Sequence, residues 1–235
     1  MHIHIVKSGE TADSIAQMYG VSVVRLMADN NLTEPDVLPT GQALIILFPS
    51  QTYTVQAGDT IYSVAQKNDV LINQLYRNNP LLGGLPLIYP GQTLVLSYSQ
   101  ERRGILEVNG YAYPHVDRML LRKTLPYLTY LTLFTYGITK SGDLIDIDDQ
   151  ELINIALEYG VAPLMLISTL GEDGKFSNAL AHTILNDKAL QDHLINQILL
   201  NMQNKGYEGL DIDFEYILPE DCLAYVDFIQ KTAPV

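Results

Sequence analysis

A single cysteine, Cys222, stands in this sequence of 235 residues, so no disulfide can form within the chain and the fold must hold by packing. Cys222 itself is expected to pack within a helix. Cations are scarce: 14 Lys and Arg face 27 Asp and Glu, a formal charge of −13. That balance excludes nucleic acid and anionic membrane surfaces as leading partners, because both are held by clustered positive charge. No apolar run approaches the roughly 20 residues of a membrane span. The start, MHIHIVKSGE, lacks the basic stretch and apolar core of an export signal, so no conventional export route is expected. The five histidines fall into no grouping with metal-ligand spacing, and neither metal nor cofactor is expected. His2 and His4 alternate with Ile3 and Ile5, which reads as a strand with its histidines facing outward.

What the chain has is a repeat. IVKSGETADSIAQMYGVSVVRLMADN, from Ile5, aligns with TVQAGDTIYSVAQKNDVLINQLYRNN, from Thr54, at a constant offset of 49. Gly9 matches Gly58, Thr11 matches Thr60, and Asn30 matches Asn79. After a one-residue insertion, GQALII matches GQTLVL. Each unit reads as strand, Gly-containing turn, helix, helix and closing strand. Thr11 or Asp13, and Thr60, open the first helices, since such side chains accept bonds from free backbone donors. Pro39-Thr40-Gly41 and Pro90-Gly91 turn into the closing strands.

Both units resemble LysM modules, on VQAGDTIYSVA, NNP and YPGQTLVL. The resemblance implies binding of N-acetylglucosamine-containing glycans, peptidoglycan included, in a groove between the first strand–helix turn and the loop after the second helix. In the second module it assigns Asp59, Thr60, Ile61, Asn79 and Pro80 to that groove, and in the first Thr11 and Asn30. The first module departs from the pattern, with Glu10 for the aspartate and no proline after Asn30-Asn31. The same Gly, Asn and Pro would equally serve as turn residues in any small fold. The expected boundaries are 1–48 and 52–97 for the modules, 98–104 for a polar linker and 105–235 for a further domain.

Beyond the linker the pattern changes. ILEVNGYAYP is a strand candidate, and a short helix follows near Asp117 to Leu125. YLTYLTLFTYGIT and APLMLIST are continuous apolar runs that suit strands buried on both faces. Helices are expected at about 149–159, at 187–204 with Leu190, Leu194, Ile198 and Met202 on one face, and at 219–231. SGDLIDIDD reads as a turn. Its Asp143, Asp146, Asp148 and Asp149 lack the glycine and terminal glutamate of a calcium loop, and are expected to solvate a loop and open the next helix. In Glu208 to Glu215, EGLDIDFE, alternation puts Asp211, Asp213 and Glu215 on one face of a strand. Like charges there raise one another's pKa values. Four strand–helix alternations argue a parallel sheet with right-handed crossovers. Ligands of such folds sit at the carboxyl ends of the strands, where Glu215, Tyr136 and the 168–174 loop are expected to gather.

EGLDIDFE resembles the DGxDxDxE signature of glycoside hydrolase family 18. With two LysM modules ahead of it, the chain is similar to spore cortex-lytic N-acetylglucosaminidases, and VNGY and LFTYGIT match their first two barrel strands. The resemblance implies an α/β fold of two βααβ modules followed by the first half, about four β/α units, of a (β/α)8 TIM barrel. It implies Glu215 as proton donor, Asp213 as the residue orienting the substrate's acetamido group, Asp211 behind Asp213, and Tyr111 and Tyr136 at the sugar. Glu208 stands where the family has aspartate. A barrel takes about 250 residues, whereas 135 follow residue 100. The family's later strands supply a tyrosine and a tryptophan, and this sequence has no tryptophan. Completion by a second polypeptide or a downstream segment is therefore expected. Two other readings stay open: a non-catalytic cell-wall binder with a vestigial half-barrel, and a structural spore-layer protein.

Overall fold

The computed structural model describes residues 1–36, 38–98, 104–215 and 217–233. Most of the expected linker, 99–103, lies outside the described residues. The chain divides into two compact units. One comprises Met1–Leu106 with Arg122–Pro126, and the other Glu107–Leu121 with Tyr127–Val235.

The first unit holds the repeat as two βααβ modules. In the first, β1 (His2–Ile5) pairs antiparallel with β2 (Ala43–Ile46), enclosing α1 (Ala12–Tyr19) and α2 (Val23–Asp29). In the second, β3 (Pro49–Thr54) pairs antiparallel with β4 (Thr93–Tyr98) around α3 (Ile61–Lys67), α4 (Ile72–Asn78) and a 3-10 turn, Pro80–Leu82. Thr11 and Thr60 are the first-helix caps, each in a reciprocal bond with the serine three residues on. Gly9 and Gly58, at φ 83° and 87°, make the preceding turns, a conformation that favours glycine. Val6, Ala12, Ile15, Leu26, Leu44 and Ile46 form one continuous core in the first module.

The histidine strand departs from the sequence expectation at His4, while His2 is exposed as expected. Ile3 and Ile5 are more than half exposed and His4 is buried. The imidazole goes inward because it has partners there: Nε2 meets Glu10 Oε2 at 2.8 Å and Nδ1 meets Tyr19 Oη at 3.1 Å. A polar ring with both nitrogens bonded costs little to bury.

In the second unit, β5 (Asn109–Ala112), β6 (Tyr130–Ile138), β8 (Ala162–Ser168) and β9 (Gly209–Asp213) form a parallel sheet in chain order, and β7 (Leu144–Ile145) returns antiparallel on β6. The helices are α5 (Arg118–Thr124), whose residues from Arg122 on are counted in the first unit, α6 (Gln150–Glu158), α7 (Asn178–Asn186), α8 (Lys188–Lys205) and α9 (Cys222–Thr232). The Phe134–Thr135 peptide is cis, where the β6–β8 register shifts. Three expectations are corrected. SGDLIDIDD contributes strand β7 as well as a turn. Residues 178–186 form a helix that goes unread when 187–204 is taken as the first helix after the loop. Cys222 is exposed at the start of α9 rather than packed.

Candidate functional site

Register decides which side chains meet. Tyr111 pairs with Thr132, Thr132 with Leu164, Leu166 with Asp211, and Ser168 with Asp213. In a parallel sheet, paired positions share a face, so Tyr111, Asp211 and Asp213 lie on one side. The Tyr111 hydroxyl donates to Asp211 Oδ2 at 3.1 Å. β5 and β9 are separated by two strands, three spacings of about 4.8 Å or roughly 14 Å along the sheet. One tyrosine spans that gap only because the sheet curls, with the acidic face on the concave side. Thr132 donates to Asn109 Oδ1 (3.0 Å), and Thr135 bonds Ser168 across the sheet (3.0 Å).

The acidic strand is shorter than its sequence pattern suggests. β9 ends at Asp213, and Glu215 stands exposed in the turn beyond it instead of continuing the column. The reason is Phe214, whose ring stacks on Tyr225 and Phe228 at centroid separations of 5.8 and 5.7 Å. Tyr225 also donates its hydroxyl to Ile212 O (3.1 Å). Burying that aromatic pulls the chain out of the sheet and fixes the turn that carries Glu215. The Asp213 carboxyl is held above the usual aspartate range, first by burial and then by the Asp211 charge. The Tyr111 phenol is raised by its bond to Asp211, then by burial.

Tyr136 does not join this group. It pairs with Ile167, which pairs with Ile212, and these face away from the acids. Its side chain is fully enclosed, so it cannot touch a glycan. Its hydroxyl bonds Asp149 and accepts from Lys205 Nζ (2.8 Å). Tyr207 also donates to Asp149, and Lys205 Nζ meets Asp149 Oδ1 at 2.8 Å and Asp146 Oδ1 at 2.6 Å. Asp149 is therefore the fully buried centre of a polar cluster, not a solvating loop residue. Burial and the carboxylate push the Tyr136 phenol up to about 12 and raise Tyr207 as well. Burial lowers the Lys205 ammonium, but Asp146, Asp149 and Tyr136 outweigh it and leave its pKa raised. The alternation around Asp143 to Asp149 gave no signal of this, because its partners come from 136, 205 and 207. Among the described residues no group of three or more His, Cys, Asp and Glu is arranged to hold a metal.

The module residues also divide. Asn79 is buried and spends its whole amide on backbone: Nδ2 donates to Leu75 O (2.8 Å) and Val95 O (2.9 Å), and Oδ1 accepts from Val95 N (2.8 Å). Asn30 does the same with Leu26 O, Ile45 O and Ile45 N. Both clamp the second helix to the closing strand, and neither amide is free to line a groove. Ile61 is fully enclosed in the core. Asp59 accepts from Gln56 N and Tyr53 Oη at 2.7 Å each, which holds its carboxyl below the usual range. Thr60 is exposed, while Pro80, Asp59 and Thr11 are half-buried.

A family model described as LysM domain matches residues 4–47 and 53–97. A Bacillus subtilis (strain 168) protein described as a sporulation-specific glycosylase, YdhD, is 32% identical over 232 residues, 98% of this chain and 54% of that protein. The crystal structure of the Bacillus cereus spore cortex-lytic enzyme SleL superposes with a TM-score of 0.71 at 30% identity, covering 98% of this chain and 55% of that one. A class V chitinase from Pseudomonas fluorescens Pf-5 matches 55% of this chain and 40% of its own, with a TM-score of 0.51 and 27% identity. The chain thus spans about half the length of the relatives it matches. Two segments of the chain are thus LysM domains, almost its whole length is similar to part of a spore cortex-lytic enzyme, and part of its fold is shared with a chitinase.

Proposed function

We propose that this chain is the glycan-binding and acid-bearing part of a peptidoglycan-directed N-acetylglucosaminidase that acts on spore cortex or cell-wall glycan. The observation that carries the reading is the concave acidic face at the carboxyl end of a curled parallel sheet, with Asp211 and Asp213 in register and Glu215 in an anchored turn just beyond. The four parallel strands are read as the first half of an eight-stranded barrel, and residues 105–235 as that domain.

Glu215, exposed to a bound sugar, is the general acid that protonates the glycosidic oxygen. The substrate's own acetamido oxygen closes on the anomeric carbon, and water reopens the intermediate with retention. Asp213 receives the acetamido N–H. Its raised pKa suits a group that exchanges a proton with its neighbour Asp211 as charge develops, and Tyr111 holds Asp211 in place. The LysM domains supply affinity for the glycan through the surface around Asp59, Thr60 and Pro80, and around Thr11 in the first, and they localise the protein to spore or wall. Strands that complete the pocket come from further residues of the same protein or from a second polypeptide.

The test is release of N-acetylglucosamine-ended fragments from purified spore cortex by the complete protein, set beside Glu215→Gln. A loss of about 10²-fold or more is expected from removing a general acid. Turnover unchanged by the substitution would overturn the assignment, and peptidoglycan binding without any turnover would favour a non-catalytic binder.

A further inference from the structure

The two LysM domains differ at the place where they meet. Arg25 and Asp29 in the first stand at the repeat positions of Gln74 and Asn78 in the second. In the second domain Gln74 Nε2 and Asn78 Nδ2 donate to Leu96 O, at 2.9 and 2.7 Å. In the first domain the guanidinium reaches out. Arg25 Nε donates to Asp29 Oδ1 at 2.8 Å, Nη2 donates to the Tyr98 hydroxyl, and the guanidinium carbon lies 5.8 Å from the centre of the Tyr98 ring. Asp29 is 6% exposed, so the charge pair is held on a well-packed base.

The rest of the joint places Tyr98 under Arg25. Only Leu47 and Phe48 separate β2 from β3, and Pro49, which opens β3, pairs with Tyr98 at the end of β4. A cleft of about 510 Å³ runs between the domains, lined in part by Val24, Phe48 and Leu81, which are 56%, 40% and 64% exposed. Across this joint the Arg25 guanidinium meets the Tyr98 hydroxyl and ring, and that contact restrains the angle between the domains.

We propose that Arg25 is a positioning residue that locks the two LysM domains into a single body through Tyr98, setting a fixed spacing between their ligand surfaces. A fixed spacing selects ligands whose repeating units match it and removes the entropy of aligning a second site. That consequence for glycans rests on the function proposed above, whereas the lock itself does not.

Spin labels at Met18→Cys and Tyr62→Cys, in a Cys222→Ser background of the whole chain, report the interdomain distance by pulsed electron resonance. One narrow distribution is expected in the parent. The double variant Arg25→Gln/Asp29→Asn installs the pair that the second domain already carries and leaves no buried charge unpaired. It is expected to broaden the distribution about twofold or more, as for two bodies on a short connector. Tyr98→Phe, which keeps the ring, is expected to broaden it less. A broad parent, or a double variant as narrow as the parent, would overturn the proposal. Pulldown on purified peptidoglycan is read separately. Broadening together with about tenfold weaker retention supports the lock and its glycan consequence, and broadening with no retention by any form leaves the lock standing and removes the glycan reading.

Discussion

Tyr111 and Asp211 tie the two outer strands of the parallel sheet across its concave face, 100 residues apart in sequence and 3.1 Å apart in space. Tyr111 is 64% exposed, so the hydroxyl contributes to the site more than to the core. Tyr111→Phe is expected to leave the far-ultraviolet dichroism unchanged. It should lower kcat/KM on cortex fragments on the order of tenfold, as for a hydrogen bond to a charged group.

Asn79 and Asn30 do the same structural work in different surroundings. Asn79→Ala leaves buried Leu75 O, Val95 O and Val95 N without their partner, and about 2 to 3 kcal/mol of stability is expected to go. Asn30→Ala exposes the equivalent groups of Ile45 to water and should cost less. Urea midpoints of the two variants check the order.

Removing Asp149 leaves Lys205 with the exposed Asp146 as its remaining ionic partner among the described residues. Asp149→Ala leaves Lys205, 17% exposed, and the hydroxyls of Tyr136 and Tyr207 without their common acceptor. A loss of about 3 kcal/mol or more is expected in the second unit. Calorimetry should show its transition falling while the LysM transition stays put.

The raised pKa of Asp213 fixes the sign of a pH effect. A carboxyl whose folded pKa exceeds its unfolded value binds its proton more tightly in the folded state. The stability this contributes is complete below the unfolded pKa and is lost as pH rises through the folded one. Asp213→Asn should therefore be more stable than the parent at pH 7, with the difference disappearing below about pH 3.8. Urea unfolding at both pH values tests it.

What could be read from the residues was local or repeated. The offset of 49, the threonine caps and the long apolar strands needed only neighbouring positions, and each carries its own physical signature. Asp149 and Tyr136 could not be read that way, because what buries them arrives from Lys205 and Tyr207. The early end of β9 was hidden as well: alternation through Glu215 is flawless, and only the stacking of Phe214 between Tyr225 and Phe228 breaks it. His4 misled for a similar reason, since its partners Glu10 and Tyr19 lie on the following turn and helix. The short helix at 178–186 was masked by Asp187, which caps the next helix directly and leaves no loop between the two.

The Asp149 cluster also sets an order of events on the ribosome. Its acceptor is made first, and its donors at 205 and 207 emerge only after some 55 more residues of synthesis. Until they do, Asp149 has the Tyr136 hydroxyl but lacks Lys205 and Tyr207, and closing the sheet would bury the carboxylate without its cation. The cluster of the second unit therefore cannot be completed until residue 207 is made, whereas the strands of both LysM domains are complete by residue 98.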